Sequence, residues 1–345
     1  MRVRAHERRG MNAPQSLDMI SQQKDLIQKF AALGSLLCLT IAFSLFSNAF
    51  FSVGNAMTIA LQVTSIGYLG IGATCVIITG GIDLSVGAIL ALSGVVAAMV
   101  VKAGVPVPVG MLGGLLVGAL CGAVNGLCVT LLKLPPFIAT LGMMLVARGV
   151  ALQITDAKAI GGLGDSFAEL GNGSLFRVIR MGADGFPDIV FIGIPYPVLL
   201  MLVVAVAVSI LLNRTTLGRH LYAVGSNTEA ARLSGVNVRG VTLFAYVLSG
   251  TLAGLTGCVL MSRLVTAQPS EGLMYELDAI AAAVIGGTSL SGGVGTISGA
   301  VIGAFVIGIL RNGLNMSGVS AFIQQIVIGL VILLTVWIDQ LRHRR

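Results

Sequence analysis

The chain has 345 residues, 56% of them hydrophobic and only 10% charged, with a formal net charge of +7 and a mean hydropathy of +0.96. Soluble domains carry roughly 25% charged residues, so the composition excludes an ordinary soluble domain and indicates an integral membrane protein. The 46 glycines favour closely packed helices with small residues at their contacts over a lipid-embedded β-barrel.

Residues 1–29 are polar, carry six Lys/Arg and lack the pattern of a cleavable signal peptide; Met11 offers a second start. A membrane-crossing helix needs about 20 apolar residues. By that criterion the spans are 30–50, 63–81, 84–101, 107–132, 136–154, 195–213, 241–262, 279–294, 295–313 and 321–339, with 51–62 as a short interfacial helix. The expected fold is all-α, a polytopic membrane helical bundle of about ten transmembrane helices, with eight to ten compatible with the glycine interruptions near 286–295. The first span serves as an uncleaved anchor.

Charge sets the orientation, because Lys and Arg accumulate in short cytoplasmic loops. The 214–240 loop carries Arg214, Arg219, Arg232 and Arg239 against Glu229 alone, and the tail 341–345 is basic. Segments 155–194 and 263–278 are net acidic. Both termini and the 214–240 loop are therefore expected in the cytoplasm, which an even number of crossings satisfies. The organisation reads as a cytoplasmic tail 1–29, a transmembrane domain 30–340 and a short tail 341–345. The positive charge serves topology, and no nucleic acid is expected as a partner.

The sequence echoes itself weakly. GGIDLSVG at 80–87 matches GGTSLSGG at 286–293 in five of eight positions, and Asn125-Gly126-Leu127 matches Asn312-Gly313-Leu314. Transporters often carry inverted repeats, but this topology puts both GG pairs at the same face. Either the span count or an inverted reading of the echo is therefore wrong.

No Gly-Lys dipeptide occurs, so the chain has no phosphate-binding P-loop, and HExxH and GxSxG are absent. Cys38, Cys75, Cys121, Cys128 and Cys258 lie in apolar runs without a CxxC pair and read as buried structural thiols. No catalytic residue, metal site or cofactor is expected in this chain, and energy for uphill transport must come from a partner or an ion gradient.

Within the 214–240 loop, Asn227 or Thr228 is placed to cap a short helix through Glu229, Ala230, Ala231, Arg232 and Leu233, with Gly235 just past its end. Its Ala230, Ala231 and Leu233 side reads as a knob for a partner's groove. EAARLSG fits the first half of the EAA-xxx-G motif of ABC importer permeases, although the Ile-x-Leu-Pro ending is absent. GGIDLSVGAILALSG, PPFIATLGMMLVARGVAL, TTLGRHLYAVGSNTEAARLSGVNV and AQPSEGLMYELDAIAAAVIGGTSLSGGVGT are more specific. Together they resemble, from about residue 50 to 340, the ribose-type permeases, membrane subunits of bacterial ABC importers for pentoses and hexoses.

That resemblance implies a bacterial inner-membrane subunit, usually a homodimer in the lipid bilayer, with a cytoplasmic ABC ATPase that binds ATP and Mg and a periplasmic sugar-binding protein that delivers the cargo. The segment 227–235 would couple to the ATPase. Asp83 in an apolar run is costly in lipid. It reads with Ser85 as the cap of a helix broken at Gly80-Gly81, as a contact to a sugar hydroxyl, or as the partner of Arg148. Arg148 reads as snorkelling or lining the pathway. Asn125 and Asn312 bond another helix or a sugar, and Glu276 and Asp278 cap a helix at the outer face or receive the binding protein. Other readings are a proton-coupled secondary transporter using Asp83 or Glu276, an ABC permease for another polyol or a nucleoside, and a structural membrane protein.

Overall fold

The computed structural model describes residues 33–45, 49–176, 178–181, 187–191 and 193–343. The expected tail 1–29, with Met11, lies outside the described residues. The helices are α1 (Leu33–Leu45), α2 (Val53–Ile78), α3 (Val86–Lys102), α4 (Val107–Thr130), α5 (Pro136–Thr155), α6 (Asp165–Asn172), α7 (Tyr196–Arg214), α8 (Thr216–Ser226), α9 (Thr228–Leu233), α10 (Val238–Leu264), α11 (Tyr275–Ile285), α12 (Ile297–Met316) and α13 (Ala321–His343). Six of them, α2, α4, α5, α7, α10 and α12, are long and apolar enough to cross a membrane, and shorter apolar helices accompany them. The chain is thus an all-α polytopic membrane bundle. Between α6 and α7, two antiparallel ladders pair β1 (Ser174–Leu175) with β4 (Ile194–Pro195) and β2 (Val178–Met181) with β3 (Pro187–Phe191).

Helix starts follow local chemistry. Ser52, Thr215, Asn227, Asn237 and Thr296 each accept a backbone N–H of the first turn with their side chains. Pro136 and Pro197 occupy the first turns of α5 and α7, where a missing N–H costs nothing.

Two expected boundaries change. The interfacial helix 51–62 and the span 63–81 are one helix, α2, capped by Ser52, because neither glycine nor proline breaks the run between Gly54 and Gly67. The span 279–294 is replaced by α11, whose 11 residues rise only about 16 Å against a core about 30 Å thick. Beyond Ile285 the backbone turns through Gly287, Gly292 and Gly293, all at positive φ. The cysteines also divide: Cys75 and Cys258 are buried, Cys121 and Cys128 half-buried, and Cys38 exposed.

The core is built on α2 and α10, which lie antiparallel: the Arg263 Nη1 group donates to Leu61 O at 3.1 Å, and Gly72 abuts Ser249. Glycines spaced by four on α4, at 114, 118, 122 and 126, turn one bare face to α10. A Cβ on Gly118 would collide with the carbonyl oxygen of Gly250, so the two backbones touch.

The packing reveals an inverted repeat. The order α2, α3, α4 corresponds to α10, α11, α12: α2 packs on α11 and α12, as α10 packs on α3 and α4. Each long helix is followed by a non-helical stretch, 79–85 or 265–274, that turns back into the bundle and starts a shorter helix. The starts of α3 and α11 meet inside, where Gly87 abuts Gly272. The inverted repeat therefore relates 79–87 to 265–276, and not the two GG motifs. Those motifs meet at one end of the bundle: Gly292 lies against Gly80, and Gly293 N donates to Ile78 O at 2.9 Å. Gly225, next to Ile78 and Gly293, puts α8 and α9 at this same end. Asn172 of α6 donates to Arg263 O at 3.1 Å, so α6 marks the opposite end.

Candidate functional site: two re-entrant stretches and an exposed helix

Asp83 sits on the first re-entrant stretch and is 1% exposed. Its Oδ1 accepts from Ser85 N at 3.0 Å and Ser85 Oγ at 2.5 Å, and its Oδ2 accepts from Ser249 Oγ at 2.9 Å. Asn125 Nδ2 in turn donates to Ser85 Oγ at 2.8 Å. One carboxylate therefore ties the start of α3 to α10 and, through Ser85, to α4. The expected division of labour is corrected here: Ser85 accepts no N–H of the α3 turn, and its hydroxyl is spent on Asp83. Tyr246 and Thr140 hydroxyls reach Ile82 O, each at 3.4 Å.

Arg148 is not the partner of Asp83. Its Nη1 donates to Pro269 O at 2.7 Å and Glu271 O at 2.6 Å, so α5 clamps the second re-entrant stretch by its carbonyls. A half-buried guanidinium satisfied this way has no need to snorkel. The two re-entrant stretches are thus held by opposite means. A carboxylate within the first stretch gathers donors, and a cation outside the second gathers acceptors.

Glu276 and Asp278 are placed differently from expectation. Both lie in the first turn of α11, whose start is inside the bundle rather than at an outer face. Asp278 is 4% exposed and accepts from Arg311 Nη2 of α12 at 3.1 and 2.9 Å, so it is an ion-pair partner and caps nothing. Glu276 sits against Gly87 where the two shorter helices meet. Asn312, next in chain to Arg311, is 5% exposed, and its Oδ1 has no hydrogen-bond partner; Asn125 Oδ1 is in the same condition.

A cavity of about 300 Å³ lies beside Asn312, among α2, α10, α11, α12 and α13. Sequence reasoning passed over Arg311 and Ser249, and counted Arg263 only toward the charge of segment 263–278. Arg311 carried a visible signal, a lone guanidinium in the apolar run GILRNGLN, the same signal that drew attention to Arg148. Ser249 carried none, since a serine beside glycine is ordinary in packed membrane helices.

At the other end, α9 lies on the surface of the bundle with only one side packed against it. Asn227 Oδ1 accepts from Ala230 N at 2.9 Å, and Gly235 closes the turn at φ +83. Glu229 pairs with Arg232 at 2.6 Å, and this guanidinium holds the Glu229 carboxyl below its ordinary pKa. Ala230 and Leu233 are exposed, Leu233 at 78%. Ala231 is buried in the chain's own core and does not belong to the exposed knob.

Asp83, Ser85 and Asn125 are therefore brought together, as are Asp278, Arg311 and Asn312, whereas Arg148 joins neither group and the α9 residues lie apart from all of them. Comparison with known proteins carries the geometry further. Residues 55–336 match the family described as the permease component of the branched-chain amino acid transport system. The ribose import permease protein of Bacillus subtilis strain 168 is 44% identical over 315 residues, covering 91% of this chain and 94% of the relative. Its namesake in Escherichia coli K12 is 43% identical over 320 residues, covering 93% and 94%. The xylose transport system permease protein of E. coli K12 is 36% identical over 92% of this chain and 93% of its own length. No solved structure matches the chain. With a family match spanning most of the chain and these relatives aligned nearly end to end, the chain belongs to the ABC-importer permease family, and its resemblance to the ribose-type sugar permeases holds along its length.

Proposed function

We propose that this chain is the pore subunit of an ATP-driven monosaccharide importer, with a ribose-like pentose as its cargo. The observation that carries the reading is α9: a capped helix, exposed on both flanks, showing Ala230 and Leu233 beside a fixed Glu229–Arg232 pair. An exposed apolar side chain rimmed by a fixed charge pair matches the apolar centre and polar rim of a protein interface and suits a groove on a soluble partner. The partner is a cytoplasmic ABC ATPase that binds ATP and Mg, so the α8–α9 end and both termini face the cytoplasm. The α6 end faces a periplasmic sugar-binding protein. Two copies of the chain line the pore. Ribose and xylose in the names of the relatives support a pentose.

In the mechanism, ATP-driven closure of the ATPase pulls α9. The buried Ala231 and the short link through Gly235 and Asn237 pass that movement to α10. Because α10 packs on α2, α3 and α4, its tilt reorients the shorter-helix starts around Gly87 and Gly272. Alternating access needs two arrangements with different exposure of the cargo, and the ATPase supplies the bias between them.

The test is uptake of labelled pentoses and hexoses into proteoliposomes, with the chain alone and then with the ATPase and binding protein encoded beside it. Uptake that requires both partners and ATP, and that survives a protonophore, is the expected result. Uptake by the chain alone that collapses with the proton gradient would overturn the reading in favour of a secondary transporter.

A further inference from the structure

We infer that each chain holds a polyol-binding site of its own, in the cavity between α2, α10, α11, α12 and α13. The inference rests on the monosaccharide reading above. The cavity has about 300 Å³, the lower end of the range for small-ligand pockets. Its wall is unusual for a chain with 10% charged residues. The amides of Gln62, Asn312, Asn315 and Gln324 and the guanidinium groups of Arg263 and Arg311 converge on one space. Amides and cations inside a membrane bundle are costly unless they bond to something.

The existing bonds leave capacity over. Arg311 uses Nη2 on Asp278, Arg263 uses Nη1 on Leu61 O, and Gln324 uses Nε2 on Val319 O. Asn312 is buried, and its amide oxygen has no partner. These facts select the class of guest. An acceptor-only anion cannot donate to Asn312 Oδ1, and the Asp278 carboxylate already neutralises Arg311. A hydroxyl group can donate to an amide oxygen and accept from a guanidinium or amide N–H at once. A small neutral molecule with several hydroxyls therefore meets every requirement of the wall.

The cavity also has a neighbour. A second space of about 300 Å³ shares Tyr275, Arg311 and Gln324 with it and continues along α13 past Gln325 and Ile328. A guest in the first cavity thus meets Arg311, whose partner Asp278 lines the second.

The test uses the full-length chain in lipid nanodiscs, with no partner added. Asn315 is exposed on the cavity wall, so an Asn315→Cys variant reacts with a polar methanethiosulfonate reagent, and mass spectrometry reads position 315 alone. Saturating D-ribose or D-xylose is expected to slow that reaction about fivefold, while inorganic sulfate, an acceptor-only anion, leaves it unchanged at equal concentration. Adding Asn312→Leu should raise the sugar concentration for half-protection about tenfold, the worth of one buried hydrogen bond to a hydroxyl. Should that variant fail to fold, Gln324→Leu makes the same measurement from another wall. Protection by sulfate but not sugar would overturn the polyol site for an anion site. No protection by either would leave a water-filled vestibule and overturn it outright. The reading of the chain as a sugar permease stands or falls separately, on uptake with its partners.

Discussion

At the scale of single residues, Asp83 decides whether a carboxylate in a membrane bundle is there for the cargo or for the fold. Its oxygens already accept from Ser85 N, Ser85 Oγ and Ser249 Oγ, and it is 1% exposed. Three donors around a buried carboxylate describe a structural knot. Asp83→Ala leaves those donors without an acceptor in a dry site, at a cost of about 2–4 kcal/mol. Asp83→Asn keeps the shape and one acceptor and should cost about half as much. Thermal unfolding of the purified variants in one detergent measures both. A fully stable Asp83→Ala that no longer transports would mean that the carboxylate serves the cargo. The sequence made Asp83 conspicuous because the residues around it are apolar. It could not show Ser249, 166 positions away, which becomes a partner only through the return of α10 across the bundle.

At the scale of elements, glycine placement separates helix faces that touch from faces that do not. A Cβ on Gly118 would collide with Gly250 O on α10, whereas Gly142 on α5 has nothing within 4 Å of its would-be Cβ. Gly118→Ala must push α4 and α10 apart and should cost about 1–3 kcal/mol. Gly142→Ala should be neutral or stabilise by up to about 1 kcal/mol, through helix propensity alone. Equal effects at the two positions in a thermal-unfolding comparison would contradict the packing. The same contrast explains what could be read beforehand. Apolar length found α4, α5, α7, α10 and α12 nearly to their ends, since those helices cross whole. It failed at α11, because a half-helix of 11 residues followed by a glycine-rich turn of apolar composition reads as one longer span. The α9 helix was legible from its cap and closing glycine, but not the inward turn of Ala231, which depends on packing against the core. For α9, Glu229→Lys turns the exposed ion pair into two adjacent cations without touching a buried atom. It should reduce ATP-dependent uptake at least about tenfold, the scale of a lost interface contact, while the variant reaches the membrane in normal amount. Loss of membrane insertion in Glu229→Lys would make α9 a structural connector instead of a docking element.

At the scale of the whole molecule, the inverted repeat explains why the two glycine motifs misled as a symmetry signal and yet were placed correctly. The GG pairs at 80–81 and 286–287 belong to non-equivalent parts of the two units, and their turns gather at the α8–α9 end with Gly225. The equivalent stretches, 79–87 and 265–276, share almost no sequence, because one is held by its own aspartate and the other by Arg148 from outside. Symmetry of backbone thus survives where symmetry of side chains does not. It also fixes how the ends must be arranged: α2 and α10 are antiparallel, so the turn after α2 and the turn after α10 lie at opposite ends. If the basic 214–240 loop lies inside the cell, as proposed, the turn after α10 and α6 beside it lie outside. Ser166 on α6 and Leu233 on α9 are both exposed, so cysteine substitutions there report on the two ends. In intact cells a membrane-impermeant thiol reagent should modify Ser166→Cys and spare Leu233→Cys. In inside-out vesicles the pattern should reverse. Modification of both positions from one side would break the antiparallel arrangement itself, and modification of Leu233→Cys alone in intact cells would keep the fold but turn the proposed orientation over.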